Sequence, residues 1–455
     1  AIEDQLILIR IDCYLTRIDP PLATEDQLAL VHTKEHIEHI KSHAPASGYY
    51  PLDGDTTMNP HTWQAALRSA GGAIAAVAIA TLSGCAGLQQ ASGDKAYFLS
   101  IQDGRAGLLD GKSVVRDAAD TLAVIEVSGN ALRVAQQIQM PTSLVGPPSS
   151  IAIAPNGRLA LISAATRRDS ADPKKVIAHD LVSVVELDQS GVNSPKVIQS
   201  VSTGSGASGI SFNREGTLAL VANRVEGTVS LLAINGNQVS VAAKIKLGEK
   251  SGPAHAAFLP DGSRALVSRD GDSRISIINI SGRTMTLDQR ELFAGLRPYG
   301  LDVSPDGAWA AVTNLGSGAG DADTISLIDM RGKTPKVVDT VTVGQTPEGI
   351  FFSPDSRMVG VTVIDGSNKP KASPFHGTAR YRLFHVNTGR FVAASEIVDG
   401  QWLQGSAFTP DGKAVLVQEA ANRQIRLYRQ SNGSLVDSGE RLQLDAAPAT
   451  IKYWR

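Results

Sequence analysis

Cysteine is nearly absent from this chain: Cys13 and Cys85 are the only two in 455 residues. Two thiols make neither a disulfide framework nor a cysteine-rich metal site. An excess of charge is missing as well. Lys and Arg number 43 against 45 Asp and Glu, a formal net charge of −2. That balance excludes a basic surface for nucleic acid and an acidic solvating tail. Aromatic residues make up only 5%. No apolar run reaches the roughly 20 residues of a comfortable membrane span. Nor is there a Cys-x-x-Cys-His haem motif, a phosphate-binding loop or a Gly-x-Ser-x-Gly elbow, so the chemistries those motifs carry have no anchor here.

Glycine and proline are plentiful instead, at 43 and 22 residues, as expected of many short strands joined by tight turns. From Lys95 onward one phrase recurs. It stands as "IAIAPNGRLALIS" (151–163), "ISFNREGTLALVAN" (210–223), "AAFLPDGSRALVS" (256–268), "LDVSPDGAWAAVTN" (301–314), "IFFSPDSRMVGVTV" (350–363) and "SAFTPDGKAVLVQ" (406–418). The turn positions Pro155, Arg214, Pro260, Pro305, Pro354 and Pro410 are 59, 46, 45, 49 and 56 residues apart. A period of about 45 residues with four strands per unit is that of a propeller. Within a unit, an alternating strand such as "GLDVS" runs into Pro-Asp-Gly. There Pro presets φ, and Asp and Gly accept the tight hairpin. The strands "AWAAVTN", "TISLIDM" and "KVVDTVTVG" complete it. Such a sheet hides its apolar faces only against neighbouring sheets, so the units must form a ring.

Six full units start at Pro148, Ala207, Pro253, Pro298, Pro347 and Leu403. The stretch from Lys95 to Met140 has later strands but no first strand. That missing strand stands at the other end, as "APATIKYWR" (Ala447 to Arg455). The chain therefore reads as all-β: a seven-bladed β-propeller closed by its C-terminal strand (95–455), preceded by a small α-helical segment (1–80) and a junction (81–94).

First strands line a propeller's channel, and the residues just before them stand at one mouth. Alignment puts Ser149, Ser208, Ala254, Tyr299, Glu348, Gln404 and Ala449 at one level. Ser150, Gly209, His255, Gly300, Gly349, Gly405 and Thr450 follow, and Arg297 and Trp402 lie just upstream. His255, Arg297, Tyr299, Glu348, Trp402 and Gln404 are thus the candidate ligand-binding residues. One cation, one carboxylate, one imidazole and two aromatics suit a small polar or anionic ligand anchored by Arg297. A plainer reading is that small residues recur where seven strands crowd the axis, and that polar ones hold channel water. No residue stands out as catalytic. A divalent metal ion on Glu348 is the one cofactor this set admits. Asp321 and Asp323 alternate as in calcium loops, but the distal bidentate Glu is lacking, and a plain blade loop is the reading. The polar insertions 167–175 and 365–377 read either as binding edges or as solvated loops.

Strand endings such as "AAVTN" (310–314) and "LVAN" (220–223), set in this repeat, resemble the YVTN-type β-propeller family. The repeat is also similar to bacterial lactonase-like propellers. The resemblance implies a scaffold for a small ligand or another envelope protein, or alternatively a lactonase-type hydrolase working at the channel mouth. Those lactonases are expected to carry paired histidines beside the proline of this turn. Here only His255 appears, which counts against hydrolysis.

Before the repeat the character changes. Thr24 and Gln27 have capping-box spacing ahead of Leu28 and Leu30, Ile37 and Ile40 share a face, and Asn59-Pro60 is a helix start. His32, His36, His39 and His43 also share a face, which reads as a solvated surface rather than a metal site, since no His-Glu-x-x-His is present. The segments "PPLATEDQLALVHTKEHIEHI" (20–40) and "PLDGDTTMNPHTWQAALRSAGGAI" (51–74) resemble the N-terminus of the histone deacetylase and acetylpolyamine amidohydrolase family over about Asp19 to Val77. The zinc ligands and catalytic Tyr which that resemblance implies lie further downstream, and none occurs here. A zinc hydrolase needs three ligands and an open position, so the fragment reads as an inactive remnant.

The run "RSAGGAIAAVAIATLSGC" (68–85) has a cation, an apolar core and Leu82-Ser83-Gly84-Cys85. That order resembles a bacterial lipoprotein signal, with Cys85 as the lipidation site and Met58 as a plausible start; the plainer reading is an Ala/Gly-rich helix with an accidental Leu-Ser-Gly-Cys. Use of the signal would place the protein in the bacterial periplasm or on the outer membrane, touching membrane only through the lipid. Without it the chain would be cytoplasmic. The expected outcome is a membrane-extracted chain that begins at acylated Cys85, read by intact mass; an unmodified chain retaining residues before 85 refutes it.

Overall fold

The computed structural model describes residues 7–11, 14–18, 22–29, 32–51, 57–70 and 95–455, the last stretch without 145, 173, 191 and 192. Contacts divide the chain into two compact units, Ala1–Ser92 and Gly93–Arg455. Cys85 and most of the signal-like run lie outside the described residues.

The first unit mixes short helices with hairpins. Glu25–Leu28 starts with the expected capping box: Gln27 N donates to Thr24 Oγ1 at 3.2 Å, and Thr24 N donates to Gln27 Oε1 at 2.8 Å. Lys34–Ser42 is capped by Thr33 and buries Ile37, and residues 62–70 are helical after Asn59. The histidines pair off, His32 stacked on His36 and His39 tilted against His43. No three metal-binding side chains converge among the described residues. One departure from the helical expectation is that Ile7–Ile11 pairs antiparallel with Tyr14–Ile18. Its alternating "ILIRI" and "YLTRI" carry the β-branched residues that favour a strand.

The second unit is seven four-stranded antiparallel sheets. Blades 2 to 7 follow the chain, starting at Ile151, Ala207, Pro253, Pro298, Pro347 and Leu403. Blade 1 is composite. Its innermost strand is Ala447–Tyr453, paired antiparallel with Ala96–Asp103 in the register Ile451↔Ser100 and Tyr453↔Phe98. Thr121–Ser128 and Ala131–Gln139 complete it. The C-terminus is held further where Trp454 N donates to Tyr97 O at 2.8 Å and Trp454 Nε1 to Gly157 O at 2.8 Å.

Seven apolar clusters fill the unit, one at each junction between neighbouring blades. Strand alternation accounts for them. In blade 2, Ala160 and Ile162 pack towards blade 1, while Leu159 and Leu161 pack towards blade 3. Successive side chains point to opposite faces, so a strand apolar at every position serves two junctions. The blade 7–1 junction holds Leu416 and Leu427 against Phe98, Ile125 and Ile451, so the borrowed strand is part of a core. Removing residues 447–455 should therefore lower the melting temperature by on the order of 10 °C, because it unpairs a strand and uncovers two junctions. A scanning-calorimetry melt unchanged by the deletion would refute the closure.

Candidate functional site

In blades 1 and 3 to 7 the innermost strand opens with a register shift against its neighbour, as between Pro298 and Leu301, or between Pro347 and Ile350. Such bulges re-aim a side chain and leave a backbone N–H unpaired. A hydroxyl from the second strand satisfies it and also reaches the next blade. Thr313 Oγ1 accepts from Gly300 N at 2.9 Å and donates to Glu348 O at 3.1 Å. Thr362 Oγ1 accepts from Gly349 N at 2.9 Å and donates to Gln404 O at 2.5 Å. Ser268 Oγ accepts from His255 N at 3.2 Å and donates to Tyr299 O at 2.6 Å. These staples fix the backbone of Tyr299, Glu348 and Gln404. They also explain the recurrent glycine: a Cβ on Gly300 would lie 2.2 Å from Glu348 O, and one on Gly349 would lie 2.5 Å from Gln404 O.

The side chains so placed meet at one mouth of the channel. Gln404 Nε2 donates to Glu348 Oε2 at 3.1 Å. Arg224 lies over the Tyr299 ring, 5.6 Å from its centroid, and forks onto the buried Asp270, donating through Nε at 3.2 Å and also through Nη2. Arg297 Nη2 reaches the same Asp270 oxygen at 3.4 Å. Glu348 is packed round by protein, yet part of it faces the channel. Burial pushes its carboxyl up to about 7, while Gln404, Arg224 and Trp402 pull the other way. The buried Trp402 indole N–H points towards this carboxyl without reaching full hydrogen-bond geometry. Burial likewise raises the Tyr299 phenol. It disfavours the Arg224 charge, but Tyr299, Asp270 and Glu348 outweigh that and hold the guanidinium above its usual value.

Backbone strain marks the same residues. Arg297, Thr346 and Trp402 have φ of 56°, 53° and 53°, just ahead of blades 5, 6 and 7, where Gly206 and Gly252 stand ahead of blades 3 and 4. Left-handed backbone disfavours side chains by about 1 kcal/mol or more. Two of these strained positions carry the guanidinium and the indole of the mouth.

Arg224 and Asp270 were not among the expected residues, although the same repeats contain them. They occupy one position, directly after the second strand, where Leu315, Ile364 and Ala420 stand in other blades. In each of these five blades that residue's N–H donates to the carbonyl of the left-handed residue. Aligning first strands alone passes over it.

The long insertions all follow second strands, so they rise on this mouth's face. Blade 2's Arg168 Nη2 donates to Arg105 O of blade 1 at 2.7 Å. Blade 1 adds a hairpin, Ala106–Leu109 with Lys112–Val115, whose Asp110 accepts from Lys371 N of the blade 6 insertion at 2.9 Å. Lys369 of that insertion donates to Gly318 O of blade 5 at 3.1 Å. A linked rim thus runs over blades 2, 1, 6 and 5. Blades 3 and 4, which carry Arg224 and Asp270, have short turns (224–227, 270–273) and leave the mouth open on their side. In blade 5, Asp323 accepts from Thr346 N at 2.8 Å, a loop-fixing bond, and Asp321 is exposed.

His255 does not join the other five expected residues. It is 6% exposed and lines a cavity at the opposite, Pro-Asp-Gly end of the channel with Asp302 and Lys452. The bulge is the reason. Strand alternation resumes after it, so the residue following the mouth level turns along the channel. Burial, then Lys452, lower its imidazole to about 3, so it is neutral.

Residues 3–90 match the family model of the histone deacetylase domain. No curated protein matches the chain. Among solved structures, a putative 6-phosphogluconolactonase from Bacteroides fragilis is similar with a TM-score of 0.62 at 16% identity, covering 80% of this chain and 99% of that one. The periplasmic gluconolactonase of Pseudomonas aeruginosa gives 0.61 at 16%, covering 80% and 99%. A putative 6-phosphogluconolactonase from Bacteroides uniformis gives 0.60 at 15%, covering 79% and 99%. The chain is thus a composite, a deacetylase-like N-terminal stretch followed by a propeller with the fold of these lactonase-like proteins. No helix among the described residues is long and apolar enough to cross a membrane.

Glu348 gives the mouth a measurable signature. Well below pH 4.5, the ordinary carboxyl value, it is protonated both folded and unfolded and costs nothing. As pH rises towards 7 the unfolded chain releases the proton first, so stability falls, by about 2 kcal/mol after discounting for solvent in the channel. Glu348→Gln should remove that part of the decline, measured as denaturant midpoints from pH 4.5 to 8. Parallel curves for the two proteins would contradict the buried carboxyl.

Proposed function

We propose that the propeller is a ligand-binding module of the bacterial envelope that takes a small, hydroxyl-bearing organic anion at the mouth. The observation that carries this is two arginines sharing one carboxylate. Arg224 and Arg297 both converge on Asp270, so two guanidiniums share one hydrogen-bonded carboxylate, and protonation of Glu348 leaves the mouth cationic. A ligand carboxylate or phosphate completes it through charge-assisted hydrogen bonds. Gln404, Tyr299 and Trp402 offer polar and aromatic surface to the rest of the ligand, as pockets of this kind do. The envelope setting is supported by the signal-like run ending at Cys85 and by the periplasmic P. aeruginosa neighbour.

A lactonase-type hydrolase is the second reading, favoured by Glu348. A carboxyl pushed up to about 7 is suited to general acid–base work at neutral pH, and the three structural neighbours bear lactonase names. His255 stands at the wrong end of the channel to assist it. No three metal-binding side chains converge at Glu348 among the described residues, and Asp270 is engaged by two arginines. The deacetylase-like stretch has no part in either reading.

Calorimetry against sugar acids and hydroxy acids separates the readings. Binding should weaken about tenfold per pH unit above 7, where Glu348 ionises and cancels the free charge. Arg224→Ala should cost about tenfold to a hundredfold, and Glu348→Gln should flatten the pH profile. Turnover of a lactone panel that rises through pH 7 and vanishes in Glu348→Gln would instead establish the hydrolase. Affinity indifferent to Arg224 would overturn the mouth as the site.

A further inference from the structure

We propose that the cavity at the Pro-Asp-Gly end of the channel is a second binding site, for a small aliphatic carboxylate held by Lys452. Three positions beyond the mouth level, the innermost strands carry Ala152, Ser211, Ala257, Asp302, Phe351, Ala407 and Lys452. This second ring is mostly small, and its polar members have different employment. Ser211 Oγ accepts from Phe258 N at 3.2 Å, and Asp302 Oδ2 from Phe352 N at 2.8 Å. In both, a side chain of one blade brackets the backbone of the next, so those two positions have a structural reason to be polar. Lys452 has none. Its ammonium lies 4.8 Å from the centre of the Phe351 ring and has no ion-pair partner among the described residues.

The cavity encloses about 350 Å³, within the range of small-molecule sites. Ile151, Ile153, Ile210 and Phe258 give it apolar walls, and Lys452, His255 and Asp302 its polar groups. His255 Nδ1 is buried without a hydrogen bond, an expensive condition for a polar atom. Lys452 also acts on both His255 and Asp302, disfavouring the protonated form of each. An anion beside Lys452 supplies the ion-pair partner it lacks, and an alkyl tail fits the isoleucine and phenylalanine part of the wall. Because Lys452 sits on the borrowed strand, the site exists only in the closed ring.

The test uses the full chain, pentanoate as the probe and neutral pentanamide as the control, followed by calorimetry at pH 7. Pentanoate should bind with a Kd below about 1 mM and pentanamide at least about tenfold more weakly. Lys452→Met should lose about tenfold or more, Lys452→Arg should retain binding, and Arg224→Ala should leave it unchanged. In the unaltered protein, pentanoate should protect Lys452 from reductive methylation, read by peptide mass spectrometry, which removes dependence on how the variants fold. No binding at about 10 mM, equal affinity for the amide, unprotected Lys452, or loss in Arg224→Ala would overturn the proposal. The last outcome would assign the carboxylate to the mouth.

Discussion

Each blade carries apolar side chains on both faces, so none of the seven can be stable with one face in water. The closing contact is therefore the constraint on which the others depend. Ile451, Phe98 and Leu416 meet at the junction of blades 7 and 1, and Leu99, Ile151 and Trp454 at that of blades 1 and 2. Were the C-terminal strand absent from blade 1, both junctions would lose their inner wall. Fully burying one large aliphatic side chain contributes about 2 kcal/mol, comparable to a sizeable part of a domain's whole net stability. Pairing the two ends of the propeller also spares the sheet a free edge.

Closure explains why a site can form at all. A ring brings seven equivalent positions to one axis, but equivalent positions with flexible backbones would make only a loose polar patch. The threonine and serine staples remove that freedom. Each ties a bulge in its own blade to the carbonyl of the next, so Tyr299, Glu348 and Gln404 are held in relation to one another across three blades. The side chains can then vary without disturbing the frame. Glycine follows each of these three residues: the neighbouring backbone approaches too closely for a Cβ at Gly300 and Gly349, and the Gln418 side chain does so at Gly405. Function is written in the residues that the frame leaves free, and the left-handed Arg297 and Trp402 show where a strained backbone is tolerated for the sake of a side chain.

Those differences decide what sequence reasoning could reach. The blade count and the borrowed strand were legible because the Pro-Asp-Gly turns recur and the first blade visibly lacks a strand. Five mouth residues were legible from the same alignment, since a repeat makes the level of each innermost strand explicit. His255 was misplaced because a bulge changes which way the next residue turns, and a bulge leaves no mark in residue spacing. Arg224 and Asp270 were passed over because they come after second strands. Their signal was a pair of opposite charges at a position otherwise filled by Leu315, Ile364 and Ala420. The pairing of 7–11 with 14–18 was hidden by the helical character of the capped segments from Thr24 onward.

The two ends of the channel obey the same electrostatics with different consequences. At the mouth, Arg224 and Arg297 are both anchored to Asp270, so the surplus charge is single and its magnitude depends on whether Glu348 holds a proton. At the other end, Lys452 has an aromatic face for company, worth about 1 kcal/mol, a neutral imidazole, and Asp302, whose carboxyl burial pushes up and Lys452 pulls back. The first arrangement is regulated by pH, because a carboxyl pushed up to about 7 changes charge where cells and their surroundings differ. A channel with cationic groups at both ends would favour anions from either side. What distinguishes the two is the wall between them: polar and aromatic around Glu348, isoleucine and phenylalanine around Lys452. Hydroxylated anions therefore belong at the first and aliphatic ones at the second.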